Sequence, residues 1–208
     1  MKSASFWRQI VVATASGSAA TFLQMDKPNI IIRLATSDDI PTLEHLIKDS
    51  VTSLSTNYYT QEQIESGLSH VFGVDSQLIA DGTYFVAECE MEVVGAGGWS
   101  KRKTLYGGDQ RKGATPDSLL DPLNEPARIR AFYIHPNWSR RGIATSILNA
   151  CEDAARRGGF KRVELAATLP GVPFYLARGY TKGETIPIET PDGGSFDTIL
   201  MTRDLPRS

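Results

Sequence analysis

Apolar positions along this chain change period several times, and each change marks an element. Ile30, Ile31 and Ile32 make a short apolar run inside Asn29 to Leu34, which predicts a first strand. Thr36-Ser37-Asp38-Asp39 supplies helix-capping residues. Leu43, Leu46, Ile47, Val51 and Leu54 then recur at helical spacing, so one face of a first helix is buried. Thr60-Gln61-Glu62-Gln63 has the form of a capping box, and Ile64, Leu68, Val71 and Phe72 carry a second helix behind it. Between the two lies a polar loop, Ser53 to Tyr59, ending in Tyr58-Tyr59.

Thr83 to Cys89 and Val93 to Trp99 are rich in strand formers, and Glu90-Met91-Glu92 between them is short enough for a hairpin. Ser100 to Pro126 has little periodicity and is broken by Gly107, Gly108, Gly113, Pro116, Pro122 and Pro126. A loop of that length inside a compact domain is usually functional or disordered. Ala127 to Ile134 is the next strand, ended by Pro136, which cannot donate to a ladder. A helix follows from about Arg141 to Arg157, with Ile143, Ile147, Leu148, Cys151 and Ala155 on its inner stripe and Gly158-Gly159 as its stop. Lys161 to Ala166 reads as a strand and Pro173 to Arg178 as a short helix. Tyr180 to Ile186 and Phe196 to Thr202 close the chain as an antiparallel pair around Pro191-Asp192-Gly193-Gly194. The predicted order is βααββ, a long loop, then βαβαββ: one α/β domain with a central mixed sheet flanked by helices, over 29–206.

Composition narrows the function rather than the fold. The chain has 208 residues, 41% hydrophobic and 22% charged, with a formal net charge of −2, which gives no reason to expect a nucleic-acid partner. No apolar run reaches the ~18 residues of a membrane helix. Three histidines (His45, His70, His135) and two distant cysteines (Cys89, Cys151) offer no metal-ligand spacing, so no metal is expected. A cytoplasmic, reducing location fits the cysteine usage. The first 25 residues hold Lys2, Arg8, many small residues and no acid, and residues 1–28 read as a flexible extension or an organelle presequence. Neither G-x-G-x-x-G after an early strand nor G-x-x-x-x-G-K-[S/T] occurs, which removes dinucleotide-binding and P-loop readings.

The candidate chemistry lies where the strand ending Phe132-Tyr133-Ile134-His135-Pro136 runs into Ser139-Arg140-Arg141-Gly142-Ile143-Ala144-Thr145. A helix start offers unpaired N–H groups and a positive dipole end, which hold phosphate without a metal. Gly142 lets a backbone approach closely, and Arg140 and Arg141 add guanidinium charge suited to phosphate oxygens. This strand-turn-helix resembles the acyl-CoA-binding motif of the GCN5-related N-acetyltransferase (GNAT) superfamily. Val172-Pro173-Phe174-Tyr175-Leu176-Ala177-Arg178-Gly179-Tyr180 resembles that superfamily's F-Y-x-x-x-G-[F/Y] segment. The element order agrees as well, so the resemblance covers about Ile30 to Leu205. Two departures stand out: Ser139 where the pattern has Gln or Arg, and Ala167-Thr168-Leu169-Pro170 where many relatives carry an asparagine.

The resemblance implies acetyl transfer from acetyl-CoA to a small-molecule or protein amine by direct attack. It implies CoA contacts at Phe132, Tyr133 and Ile134 and at Ser139 through Thr145, with a backbone N–H of Phe132 to Ile134 as donor to the developing oxyanion. Tyr175 is the implied general acid for the leaving sulfur, and Tyr180 the implied core aromatic. Glu88 and His135 are candidate bases beside a water chain. Tyr58, Tyr59, Trp99 and Arg130 are candidate acceptor contacts, Arg130 on the strand face of Phe132 and Ile134 if alternation is unbroken. Oligomeric state is left open, a homodimer included. The competing reading is a non-catalytic acyl-CoA-binding or sensing module on the same scaffold.

Overall fold

The structure, a computed structural model, describes residues 29–111 and 117–206. The expectations for residues 1–28 lie outside the described residues. Seven strands form one mixed sheet: β1 (Ile30–Leu34), β2 (Tyr84–Cys89), β3 (Glu92–Ser100), β4 (Ala127–Ile134), β5 (Arg162–Thr168), β6 (Thr181–Glu189) and β7 (Ser195–Asp204), in spatial order β1-β2-β3-β4-β5-β7-β6. Among the described residues five α-helices accompany it: α1 (Ile40–Leu54), α2 (Gln61–His70), α3 (Ser76–Ala80), α4 (Ile143–Arg157) and α5 (Val172–Ala177). No helix among the described residues is long and apolar enough to cross a membrane.

Local signals account for most of this. Thr60 caps α2 in the expected box: its hydroxyl accepts from the Gln63 N–H at 3.3 Å and the Gln63 amide oxygen accepts from the Thr60 N–H at 3.0 Å. α2 stops at His70, short of Val71 and Phe72, because both their N–H groups fold back onto the Gly67 carbonyl. α1 runs to Leu54, so the polar loop begins at Ser55. The β2–β3 turn is two residues long, Glu90 (φ 51°) and Met91 (φ 68°), the left-handed pair that matches strand twist. α3 is the element without a sequence signal; five residues are too few to show a helical period.

Each face of the sheet carries an apolar core. On one face α4 packs Ile143, Ile147, Leu148 and Cys151 against Val94, Ile129 and Val163. On the other, α1 and α2 pack Leu43, Ile47 and Ile64 against Val86, Ala96 and Tyr84. The glycines of β3 bring α4 close: a Cβ on Gly95 would lie 2.9 Å from both Ile134 Cδ1 and Ile143 Cγ2. The first turn of α4 is thereby held against the sheet beside the end of β4.

Candidate active site

The two central strands part. β4 and β5 are parallel and pair only at Ala127↔Val163 and Arg128↔Glu164. Beyond that point β5 stays paired with β7 up to Thr168↔Thr198, while β4 stays paired with β3. A bulge drives the separation. Between the pairs Gly98↔Arg130 and Ala96↔Tyr133, two residues of β4, Ala131 and Phe132, lie against one of β3, Gly97, with Ala131 left-handed at φ 51°. Such a bulge raises local twist and swings a strand away from its neighbour.

The resulting cleft encloses about 750 Å³. Its walls include Phe132, Tyr133 and Ile134 from β4, Leu165 to Thr168 from β5, and Phe174 and Tyr175 from α5. His135 donates its N–H to the Val94 carbonyl at 3.0 Å, so by strand alternation the Ile134 N–H points away from β3, towards the split. It is taken by the Ser50 hydroxyl at 3.2 Å.

At the cleft mouth the chain makes two left-handed turns, at Arg140 (φ 64°) and Gly142 (φ 85°), and α4 starts at Ile143 rather than near Arg141. A Cβ on Gly142 would meet no protein atom within 4 Å. The requirement for glycine is therefore conformational, and the space above it is free for a ligand. Ser139, Arg140, Gly142, Ala144 and Thr145 line the mouth, and Ile143 is buried beneath them as an anchor. Arg141 does not line the cleft; its guanidinium lies 4.8 Å from the ring centroid of Trp138, which does. An exposed helix start with unpaired N–H groups, flanked by Arg140 and Arg178, suits a pyrophosphate. The outward N–H on β4 suits an extended amide chain. The first suits the pyrophosphate of CoA and the second its pantetheine arm.

Tyr175 is 6% exposed, packed edge-on against Phe132, Phe174 and Tyr180. Burial raises its phenol above the ordinary value of 10.0. Tyr180 is core, as expected, donating to Glu152 Oε1 at 2.8 Å.

Four expectations need correction. Trp99 does not line the cleft: it packs edge-on to Phe160 and against Gly158, by the far end of α4. Tyr59 is buried too. Its hydroxyl donates to the Asp197 carbonyl at 2.7 Å and accepts from the Leu169 N–H at 2.8 Å, so it bolts the loop carrying Tyr58 to β7. Burial lifts its phenol to about 12. Arg130 does reach the cleft, but on the opposite face from Phe132 and Ile134, because the Ala131 bulge breaks the alternation. Its guanidinium sits 2.8 Å from the fully buried Asp75 and donates to the Gly107 carbonyl at 2.6 Å, so its charge is already engaged. Neither candidate base lines the cleft. Glu88 is ion-paired with Arg33 at 2.9 Å, and His135 Nδ1 accepts from the Asn137 N–H at 3.3 Å.

Tyr58 lines the cleft. Ser50, Trp138 and Arg178 line it without having been singled out. Ser50 had a signal: it is a polar residue on the apolar stripe of Leu46, Ile47 and Val51, where a buried hydroxyl needs a partner.

A split parallel pair with a phosphate-fitted helix start at its mouth defines an acyl-CoA-binding acyltransferase. The comparisons agree. The model of the Acetyltransferase (GNAT) family matches residues 47–180, more than half of the chain, and the chain belongs to that family. It is an acetyltransferase with acetyl-CoA as co-substrate. None of the curated proteins compared with it matches. Solved structures similar in fold include a GCN5-related N-acetyltransferase from Rhodopseudomonas palustris (19% identity, TM-score 0.64, 91% of this chain and 100% of that one). PaiA N-acetyltransferase from Thermoplasma acidophilum, in complex with coenzyme A, aligns at 14% identity and TM-score 0.55 over 85% and 99% of the two chains. The putative acetyltransferase yncA from Salmonella typhimurium, with acetyl-CoA, aligns at 16% and 0.57 over 86% and 96%. At these identities the likeness is one of fold.

Proposed function

We propose that the chain is an N-acetyltransferase that moves acetyl from acetyl-CoA to an amine by direct attack, in the cleft between β4 and β5. The observation that carries this is the free inner edge of β4, with the Ile134 N–H turned into the split and the left-handed turn at Gly142 beside it. Acetyl-CoA, when bound, supplies an activated carbonyl and a thiolate leaving group.

The residues divide the work by position. The N–H groups opening α4, with Arg140 and Arg178, hold the phosphates. Ser50 yields the Ile134 N–H to a stronger acceptor, at a cost of about one net hydrogen bond, roughly 1 kcal/mol. Tyr175, kept protonated by burial, hands its proton to the departing sulfur. Since no Asp, Glu, His or Lys lines the cleft among the described residues, the amine's proton leaves to solvent.

The test is thiol release measured against a panel of amines. Release should require acetyl-CoA and an amine together. Equal release with and without amine across the panel sinks the assignment.

A further inference from the structure

We propose that the acceptor is an aryl amine, uncharged at neutral pH, rather than an alkylammonium ion or a polyamine; this rests on the amine-acetylating function proposed above. The cleft argues it by charge. Among the described residues, the charged side chains lining it are Arg130, Arg140 and Arg178, and none is acidic. Arg130 is engaged by Asp75 and the Gly107 carbonyl, and its side chain is only 3% exposed. A cation entering here loses hydration and finds no counter-ion, a penalty that uncharged groups escape.

The wall on the α1 and α2 side carries Leu54, Tyr58 and Phe72, joined by Leu105 and Tyr106 from the β3–β4 loop; its side-chain polar groups are the uncharged hydroxyls of Ser50, Ser55 and the two tyrosines. Tyr58 and Leu54 are exposed in the protein, so a flat ring can stack there. The missing base points the same way. An alkyl amine with a pKa of about 10.4 is neutral in roughly one molecule of a few thousand at pH 7, and among the described residues no cleft carboxylate, imidazole or lysine takes its proton. An aryl amine has its lone pair shared with the ring and arrives already unprotonated. Its nitrogen attacks the thioester carbonyl carbon, the C–N bond forms and the C–S bond breaks. Sulfur leaves with the bonding pair and takes the proton of Tyr175, which is restored from the proton the nitrogen releases to solvent.

The full chain is first titrated with CoA by calorimetry, then, saturated with CoA, with 4-aminobenzamide, phenethylamine and spermidine; acetylation of each is measured in parallel. The aryl amine should bind the CoA complex and spermidine should not. Its kcat/KM at pH 7 should exceed both others by about tenfold or more, a gap of ~1.4 kcal/mol. Tyr58→Glu, at an exposed loop site, should shrink the gap to phenethylamine by about tenfold by providing a counter-ion. Equal or better use of spermidine or phenethylamine overturns the proposal. So does a protein that binds CoA yet neither binds nor acetylates the aryl amine. Failure to bind CoA strikes the acetyl-transfer function itself, and the aryl-amine assignment with it.

Discussion

Gly142→Ala separates the backbone from the ligand. Gly142 has φ 85° and ψ −4°, and an added methyl meets no protein atom within 4 Å. The folded protein therefore loses only the left-handed penalty for a residue with a Cβ, about 1–2 kcal/mol. Gly193, in the β6–β7 turn, has φ 84° and equally open surroundings, so Gly193→Ala carries the same penalty away from the cleft. Urea denaturation should show similar losses for both variants. Calorimetry with CoA should not. At Gly142 the methyl occupies the space a phosphate needs and removes about one charge-assisted hydrogen bond, ~1.5–3 kcal/mol. That is roughly 10- to 150-fold in Kd. At Gly193 the Kd should stay within about twofold, inside the few tenths of a kcal/mol expected of distant sites. Equal CoA affinity in the two variants would refute the placement of the pyrophosphate at α4.

Three further outcomes follow from the same geometry. Tyr175→Phe should lower kcat by about 10²-fold or more while leaving the Kd for CoA nearly unchanged; because burial raises this phenol, the wild-type rate should hold up to about pH 10, and an alkaline limb near pH 8 that the variant abolishes would contradict its role as drawn. Asp75→Ala strands the buried Arg130 charge and should cost about 3–5 kcal/mol by urea denaturation, with much of the loss recovered in Asp75→Leu/Arg130→Met. Asp39 takes two hydrogen bonds from the Arg33 guanidinium at 2.8 Å, which hold its carboxyl at about 2, below its ordinary 3.8. A depressed carboxyl stabilises the fold above the unfolded value and loses that contribution as pH falls from about 4 to 2; Asp39→Asn should flatten the stability profile in that window, and an unchanged profile would count against the pair.

Elements with a chemical mark were legible in the sequence. The capping box at Thr60, the Gly158-Gly159 stop and the turn holding Gly193 each fix a boundary through a hydrogen bond or a positive φ that few residues provide. The phosphate-fitted turn was legible for the same reason. What stayed hidden depends on contacts between distant segments. Period-2 alternation placed Arg130 with Phe132, and only the pairing to β3 reveals the bulge at Ala131 that reverses it. Tyr58 and Tyr59 are indistinguishable in composition, yet one faces the cleft and the other bolts the loop to β7, 138 residues away. Trp99 read as a liner because it ends a central strand; its ring turned out to face the other end of α4, where Gly158 leaves room.

The central claim is acetyl transfer to nitrogen in the β4–β5 cleft. Its most direct test follows the carbonyl carbon of labelled acetyl-CoA by NMR in the presence of the protein and an excess of 4-aminobenzamide, phenethylamine and spermidine together. The expected result is loss of the thioester signal matched one-for-one by a new amide signal, abolished when the amines are withheld. Persistence of the thioester, or its conversion to free acetate alone, would contradict the claim.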